Sequence, residues 1–133
     1  MNQSGQNSHI LYTGSTSVYD QDGGIKVDET LPAKASDPRG EILIRTEATL
    51  REWSGTWTIL RVAGIYGPGR HYLLNALKAG RREVAGRGNH HLNLIHLEDI
   101  VSAVLTVFSQ SDRTGGRIFN VADDGRAIKA EVV

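Results

Sequence analysis

Three short apolar runs, set between segments of helical spacing, constrain this chain's fold more than any other feature. HILYT (9–13), WTILRVA (57–63) and RIFNVA (117–122) each read as a buried strand. After the first run, Leu43, Thr46/Glu47, Leu50 and Trp53 recur at helical spacing. A helix is therefore expected over 39–53, with Pro38 just ahead of it and Ser54–Gly55 ending it. HYLLNALKAG (71–80) reads as a second helix, with Gly80 as its C-terminal cap. NLIHL is a short extended piece. DIVSAVLTVFSQ (99–110), opened by Glu98 or Asp99, is apolar nearly all round and is expected to be a buried helix. Residues 14–38 and 64–70 read as glycine- and proline-bearing loops, 1–8 as a disordered polar end, and DDGRAIKAEVV as a turn with the first turns of another helix. Strands alternating with helices predict an α/β fold with a parallel sheet and right-handed crossovers.

The chain has 133 residues, the length of one domain or part of one. Its 15 basic and 15 acidic residues cancel, which argues against a nucleic-acid partner or a charged membrane surface. Without cysteine, disulfides and thiolate chemistry are excluded. No apolar run approaches the roughly 20 residues that span a bilayer. The start, MNQSGQNSH, has no signal-peptide core, so a cytoplasmic location is the default expectation. A sheet of three strands is narrow, and a parallel sheet wants its faces covered and its edges paired. The chain is thus expected to be a piece of something larger.

Five motifs follow one another in order: STSVY (15–19), RGEILIRTE (39–47), LRVAGIYGPGR (60–70), IHLEDI (95–100) and IFNVADD (118–124). Together they resemble the C-terminal half of an NAD-dependent epimerase/dehydratase, an extended short-chain dehydrogenase/reductase, and most closely its atypical branch. The resemblance runs from His9 to the end. It implies that 9–133 form a partial Rossmann-like parallel sheet with flanking helices, plus the start of the small C-terminal substrate lobe. It also implies NAD or NADP as cofactor, a small-molecule substrate such as a nucleotide sugar, and room for a homodimer. The family's first-half glycine loop, G-x-x-G-x-x-G, has no counterpart in this sequence, because the glycines of GIYGPG (64–69) have the wrong spacing. Binding of the dinucleotide by this chain alone is therefore expected to be weak.

Where the family carries its catalytic Tyr-x-x-x-Lys, this chain has Arg39 and Leu43, although Gly40 and Glu47 keep the surrounding frame. Arginine does not deprotonate in proteins, and leucine cannot lower a neighbouring pKa. The usual acid–base step is therefore in doubt on chemical grounds. Tyr19 or Tyr66 could replace the lost tyrosine, but neither has a lysine nearby in sequence.

The resemblance gives Ser15 the catalytic position that contacts the reacting oxygen and the cofactor; a turn-forming serine is the alternative. Gly64, Ile65 and Tyr66 fall in the cofactor-binding stretch. Ser17, Tyr19, Arg39 and Arg70 fall in substrate-binding positions. Arg39 is equally well a solvated helix-start residue, and Arg70 the end of a plain turn. Arg61, inside an apolar strand, needs a buried partner and reads as structural. Asp99 reads as a helix cap. Asn120, Asp123 and Asp124 resemble a late family motif, NV-x-D, that packs the C-terminal lobe, and the carboxylates at 123–124 read as a turn after the last strand. No metal site is expected, since His90, His91 and His96 lack a ligand-like spacing. A hydrolase reading fails because GSTSV is not G-x-S-x-G. Two further readings stay open: a non-catalytic dinucleotide-binding or sensing protein, and a truncated fragment without activity of its own.

Overall fold

A computed structural model describes residues 8–20, 25–70, 75, 78–80 and 93–125. The three apolar runs become β1 (His9–Ser15), β2 (Thr56–Val62) and, last in the chain, β5 (Arg117–Val121). They form one parallel sheet in the order β1-β2-β5. Register places Ser15 opposite Val62, and Val62 opposite Val121, so the three strands finish level at their carboxyl ends. The middle strand is buried continuously from Thr58 to Val62, as expected of a parallel strand covered on both faces.

Alternation along β2 divides the packing. Leu60 and Val62 join Ile100 and Val107 of helix α2 (Leu97–Ser109) in the apolar core. Arg61 points to the other face and meets helix α1 (Pro38–Arg51). Ile59 and Leu60 are almost wholly buried, and each stabilises the fold by roughly 1.5–3 kcal/mol.

Asp37 caps α1, its Oδ1 accepting the Gly40 N–H at 2.7 Å, and Pro38 occupies the first turn. The helix ends two residues earlier than expected, and Trp53 lies outside it. Its buried residues are Gly40 and Glu47 rather than an apolar stripe. The reason is Arg61. Its Nε donates to Glu47 Oε1 at 3.0 Å and its Nη2 to Oε2 at 2.7 Å, and both side chains are only 3% exposed. Its Nη1 donates to the Tyr19 hydroxyl at 2.8 Å, which in turn donates to Asn120 Oδ1 at 2.9 Å. Burial pulls the Arg61 guanidinium down, but Glu47 and Tyr19 outweigh it and the net shift is upward. Arg61 is thus structural, as expected.

Three expectations are corrected. Residues 64–66 are not loop: Gly64–Tyr66 is a short strand, β3, parallel to β4 (Leu94–His96). The chain runs on past β2 and changes partner at Ala63, whose N–H donates to the Val121 carbonyl at 3.0 Å. Only Gly67–Arg70 turns, with the Arg70 N–H on the Gly67 carbonyl at 2.9 Å and Gly69 at φ +80°, the conformation that a Pro-Gly type II turn demands. Secondly, α2 begins at Leu97 and its cap is His96, whose Nδ1 accepts the Glu98 N–H at 3.1 Å. Asp99 instead sits in the first turn, where a carboxylate suits the helix dipole. Thirdly, α2 is not buried all round. Val101, Leu105 and Phe108 are 53%, 65% and 47% exposed, because β1 is an edge strand and no described element covers that flank.

The short helix α3 (Ser111–Thr114) ties the sheet's amino end together through His9, whose ring nitrogens lie 3.0 Å from Ser111 Oγ and 2.7 Å from Thr58 Oγ1. A short 3-10 turn, Thr16–Val18, interrupts the expected loop 14–38. The helix expected over 71–80 lies mostly outside the described residues; Gly80 itself has φ +79°. The His90–His91 pair and the expected final helical turns lie outside them entirely.

Removing either side of the buried ion pair, by Arg61→Ala or Glu47→Ala, is expected to cost about 3–5 kcal/mol, because an uncompensated charge stays buried. Urea unfolding checks this, and the double change Arg61→Met with Glu47→Leu should recover much of the loss. On α2, Ile100→Ala should lose about 2–5 kcal/mol. Leu105→Lys on the exposed flank should change stability by less than about 0.5 kcal/mol, and a large loss there would show that the flank is covered.

Candidate functional site

The carboxyl edge of a parallel sheet is where strand ends splay apart and ligands enter. Ser15 is the last residue of β1 and also caps the 3-10 turn. Its Oγ accepts the Ser17 N–H at 3.0 Å and donates to Ser17 Oγ at 2.9 Å. Ser15 thus forms the turn, and it stands at the strand end with Ser17 beside it. The start of α1 packs against this turn. A Cβ on Gly40 would fall 3.0 Å from the Ser17 carbonyl and 2.4 Å from Ala35 Cβ, so only glycine lets the helix approach so closely. Ser15, Ser17 and Arg39 are thereby brought to one corner of the edge, with Arg39 exposed on the first turn and Leu43 half-buried one turn on.

Tyr19 is placed differently. It is half-buried, and its hydroxyl already accepts from Arg61 and donates to Asn120. Gly64 is exposed; a Cβ there would come 3.0 Å from Leu94 Cδ2, so the glycine serves strand pairing with β4. Ile65 packs against the core. Arg70 is exposed and closes the tight turn.

Tyr66 gathers neighbours that sequence reasoning missed. Its hydroxyl lies 3.3 Å from Asp123 Oδ2, and its ring meets the His96 ring edge to face at 5.2 Å. Loss of solvent pushes the Tyr66 phenol up, and the Asp123 and Asp99 carboxylates push it the same way. Tyr12 is also raised, by burial and by Glu47. A signal for the cluster did exist: Tyr66, His96 and Asp123 each follow a short apolar run, at the point where a strand ends.

A cavity of about 250 Å³ opens on the α1 face, lined by residues 29–33, α1, Arg61 and Ile118. It touches neither Ser15 nor Tyr66; of its four charged residues, Arg61 and Glu47 are committed to each other and Glu29 accepts the Asn120 N–H, while Arg51 is exposed. Among the described residues no three His, Asp or Glu side chains are grouped to hold a metal. No described helix is long and apolar enough to cross a membrane.

A family model described as the NAD dependent epimerase/dehydratase family matches residues 1–122, and the chain belongs to that family. Protein YeeZ of Escherichia coli (strain K12) is 41% identical over 114 residues, a span of 84% of this chain and 39% of YeeZ. Among solved structures, a functionally unknown conserved protein from Silicibacter pomeroyi DSS superposes with a TM-score of 0.81 at 30% identity, covering 93% of this chain and 43% of that one. MoeE5 in complex with UDP-glucuronic acid and NAD gives 0.82 at 25% identity, over 98% of this chain and 47% of that one. The fold is therefore the Rossmann-like one that the motifs implied, and the chain spans about two-fifths of YeeZ and less than half of these structures.

Gly67 is the strictest backbone position of the site, at φ +142°, with a would-be Cβ 3.2 Å from Leu97 Cβ and 3.3 Å from His96 Nε2. Gly67→Ala should cost about 1–3 kcal/mol and disturb the His96 ring, read as a shifted His96 NMR signal. An unchanged melting temperature and spectrum would show that the turn tolerates a side chain.

Proposed function

We propose that this chain is the substrate-facing part of an NAD(P)-dependent protein of the epimerase/dehydratase type that acts on a nucleotide-linked sugar. The observation that carries the reading is the corner where β1 ends: two hydrogen-bonded serine hydroxyls against the start of α1, whose second residue is the exposed Arg39. In this reading Ser15 contacts the oxygen being oxidised. Its proton now goes to Ser17 Oγ, an exposed partner that a ligand oxygen can replace. Arg39 and Arg70 meet the ligand's phosphates, for which guanidinium is well shaped. Family membership and the likeness to MoeE5, solved with a UDP-sugar and NAD, support the substrate class.

The fit to a dinucleotide is partial. Gly64–Tyr66 can lie beside a nicotinamide, but as a strand followed by a type II turn at Gly67–Arg70, residues 64–70 do not have the glycine spacing of a loop that cradles a pyrophosphate. When bound, the cofactor would supply hydride chemistry; this chain's residues would orient the reacting oxygen beside it.

One observation favours a second reading, a dinucleotide-binding sensor without turnover. A phenol that works as a base must be lowered by a nearby cation. The Tyr19 hydroxyl does meet a cation, Arg61, but that guanidinium is already paired with Glu47 and the phenol proton is given to Asn120, while Tyr66 faces carboxylates that raise it.

Calorimetry with UDP-glucose, UDP-glucuronic acid and NAD tests the proposal. The sugar nucleotides are expected to bind, and Arg70→Ala to weaken them about tenfold, or 1.4 kcal/mol. NAD alone should bind more weakly than micromolar. Failure of both sugar nucleotides would remove the substrate class, and sub-micromolar NAD binding would show that the chain holds the pyrophosphate after all. Consumption of a bound sugar nucleotide would decide against the sensor.

A further inference from the structure

We infer that Tyr66, Asp123 and His96 form a binding site for the neutral, hydroxyl-rich part of a ligand, with Tyr66 donating to it and Asp123 accepting from it. Nothing in the motif resemblance assigns such a role to this trio. For the ligand's identity the inference rests on the sugar-nucleotide reading; the site itself follows from geometry.

The three residues converge because three strands end together. Tyr66 closes β3 and His96 closes β4, and the two are directly opposite in register. Asp123 lies two residues beyond β5 and is drawn to the same place by its N–H, which donates to the Leu94 carbonyl at 2.7 Å. The site is thus built on strand ends and not on a free loop.

It is also held in advance of any ligand. Asp123 is fixed through its backbone and through Oδ1, which accepts the Gly125 N–H at 2.9 Å. The His96 ring is fixed by its cap bond to Glu98 and by contact with the Gly67 backbone, where a Cβ would lie 3.3 Å from Nε2. Its ring supports Tyr66 edge to face, at an interplanar angle of 83°. Preorganised polar groups of this kind lower the ordering penalty of binding.

Yet the site is not satisfied internally. The Tyr66–Asp123 contact, at 3.3 Å, is longer than the about 2.7–2.8 Å usual for O–H···O bonds. A carboxylate oxygen keeps further lone pairs when it accepts one such bond. Tyr66 is 38% exposed, so part of its side chain remains open to a ligand. Two adjacent hydroxyls match a carboxylate acceptor beside a phenol donor, and the apolar face of a sugar ring matches an aromatic one.

Charge selects against the alternative, a phosphate. Asp123 and Asp99 both act on the Tyr66 phenol, and Glu98 lies in the same first turn of α2. No described Lys or Arg forms an ion pair with any of the three. Among the described residues an anion would meet carboxylates that no cation pairs, whereas a polyol meets hydrogen-bonding groups. A phenol is protonated, hence a donor, throughout the physiological range, and loss of solvent together with these carboxylates pushes Tyr66 further that way.

The test uses the whole chain with tyrosine labelled at the ring carbon bearing oxygen, Tyr66→Phe assigning its NMR signal. UDP-glucose, UDP and methyl glucoside are the probes. UDP-glucose and millimolar methyl glucoside should shift the Tyr66 signal, while UDP should not. Asp123→Asn, with an unchanged circular-dichroism melt, should weaken the response to both sugars about tenfold and leave UDP binding unaltered. If UDP-glucose binds but moves Tyr66 no more than UDP does, the inference falls and the sugar-nucleotide reading stands. If UDP and UDP-glucose both fail to bind while methyl glucoside still moves Tyr66, that reading falls and the site survives. No response to either sugar overturns the inference.

Discussion

The structure depends on one buried ion pair. Arg61 and Glu47 are each almost fully removed from water, and neither could be there without the other. Their partners extend the link: Tyr19 from the segment after β1, and Asn120 from β5. One guanidinium therefore fixes a helix, the central strand, an edge strand and the segment that carries the candidate serines. Its position just inside the carboxyl edge means that the edge's shape depends on polar geometry as well as on apolar packing. An arginine suits that task because its planar fork can bind a carboxylate in two places and still reach a third group.

The division of labour between the two faces of β2 follows from this. On one face Leu60 and Val62 make an ordinary apolar core with α2. On the other, α1 approaches through a charged residue and a glycine, Glu47 and Gly40, not through a hydrophobic stripe. Close approach at Gly40 sets the start of α1 against the turn at 15–17, and the ion pair about two helical turns further on holds the approach in place. Arg39 and Leu43 therefore ride on a helix whose position is set by Gly40 and by the Glu47–Arg61 pair.

The chain's size relative to its relatives gives the exposed surfaces their meaning. A sheet whose first strand is an edge, flanked by a helix with Val101, Leu105 and Phe108 open to solvent, has more apolar surface than this chain covers among its described residues. The ligand-facing corner, by contrast, is assembled from this chain's own strand ends.

Much of the fold was legible because periodicity and burial are local signals. The three sheet strands, the helix from Pro38, and the structural reading of Arg61 were all written in runs of apolar residues, a capping proline and one charge where none could stand alone. The parallel α/β architecture followed from the alternation of elements. Less legible was anything that depends on a distant partner. Gly64–Tyr66 looks like loop until Leu94–His96 is laid beside it, and α2 looks buried until the sheet proves too narrow to surround it. His96 as a helix cap, Tyr19 locked into a core network, and the meeting of Tyr66 with Asp123 across 57 residues are decisions of tertiary structure. The sequence by itself determined the three strands of the main sheet and the helix after Pro38, because apolar runs and caps are local signals. Only the folded chain decided which polar groups would face one another, because hydrogen bonds between remote residues exist only once the strands have set their register.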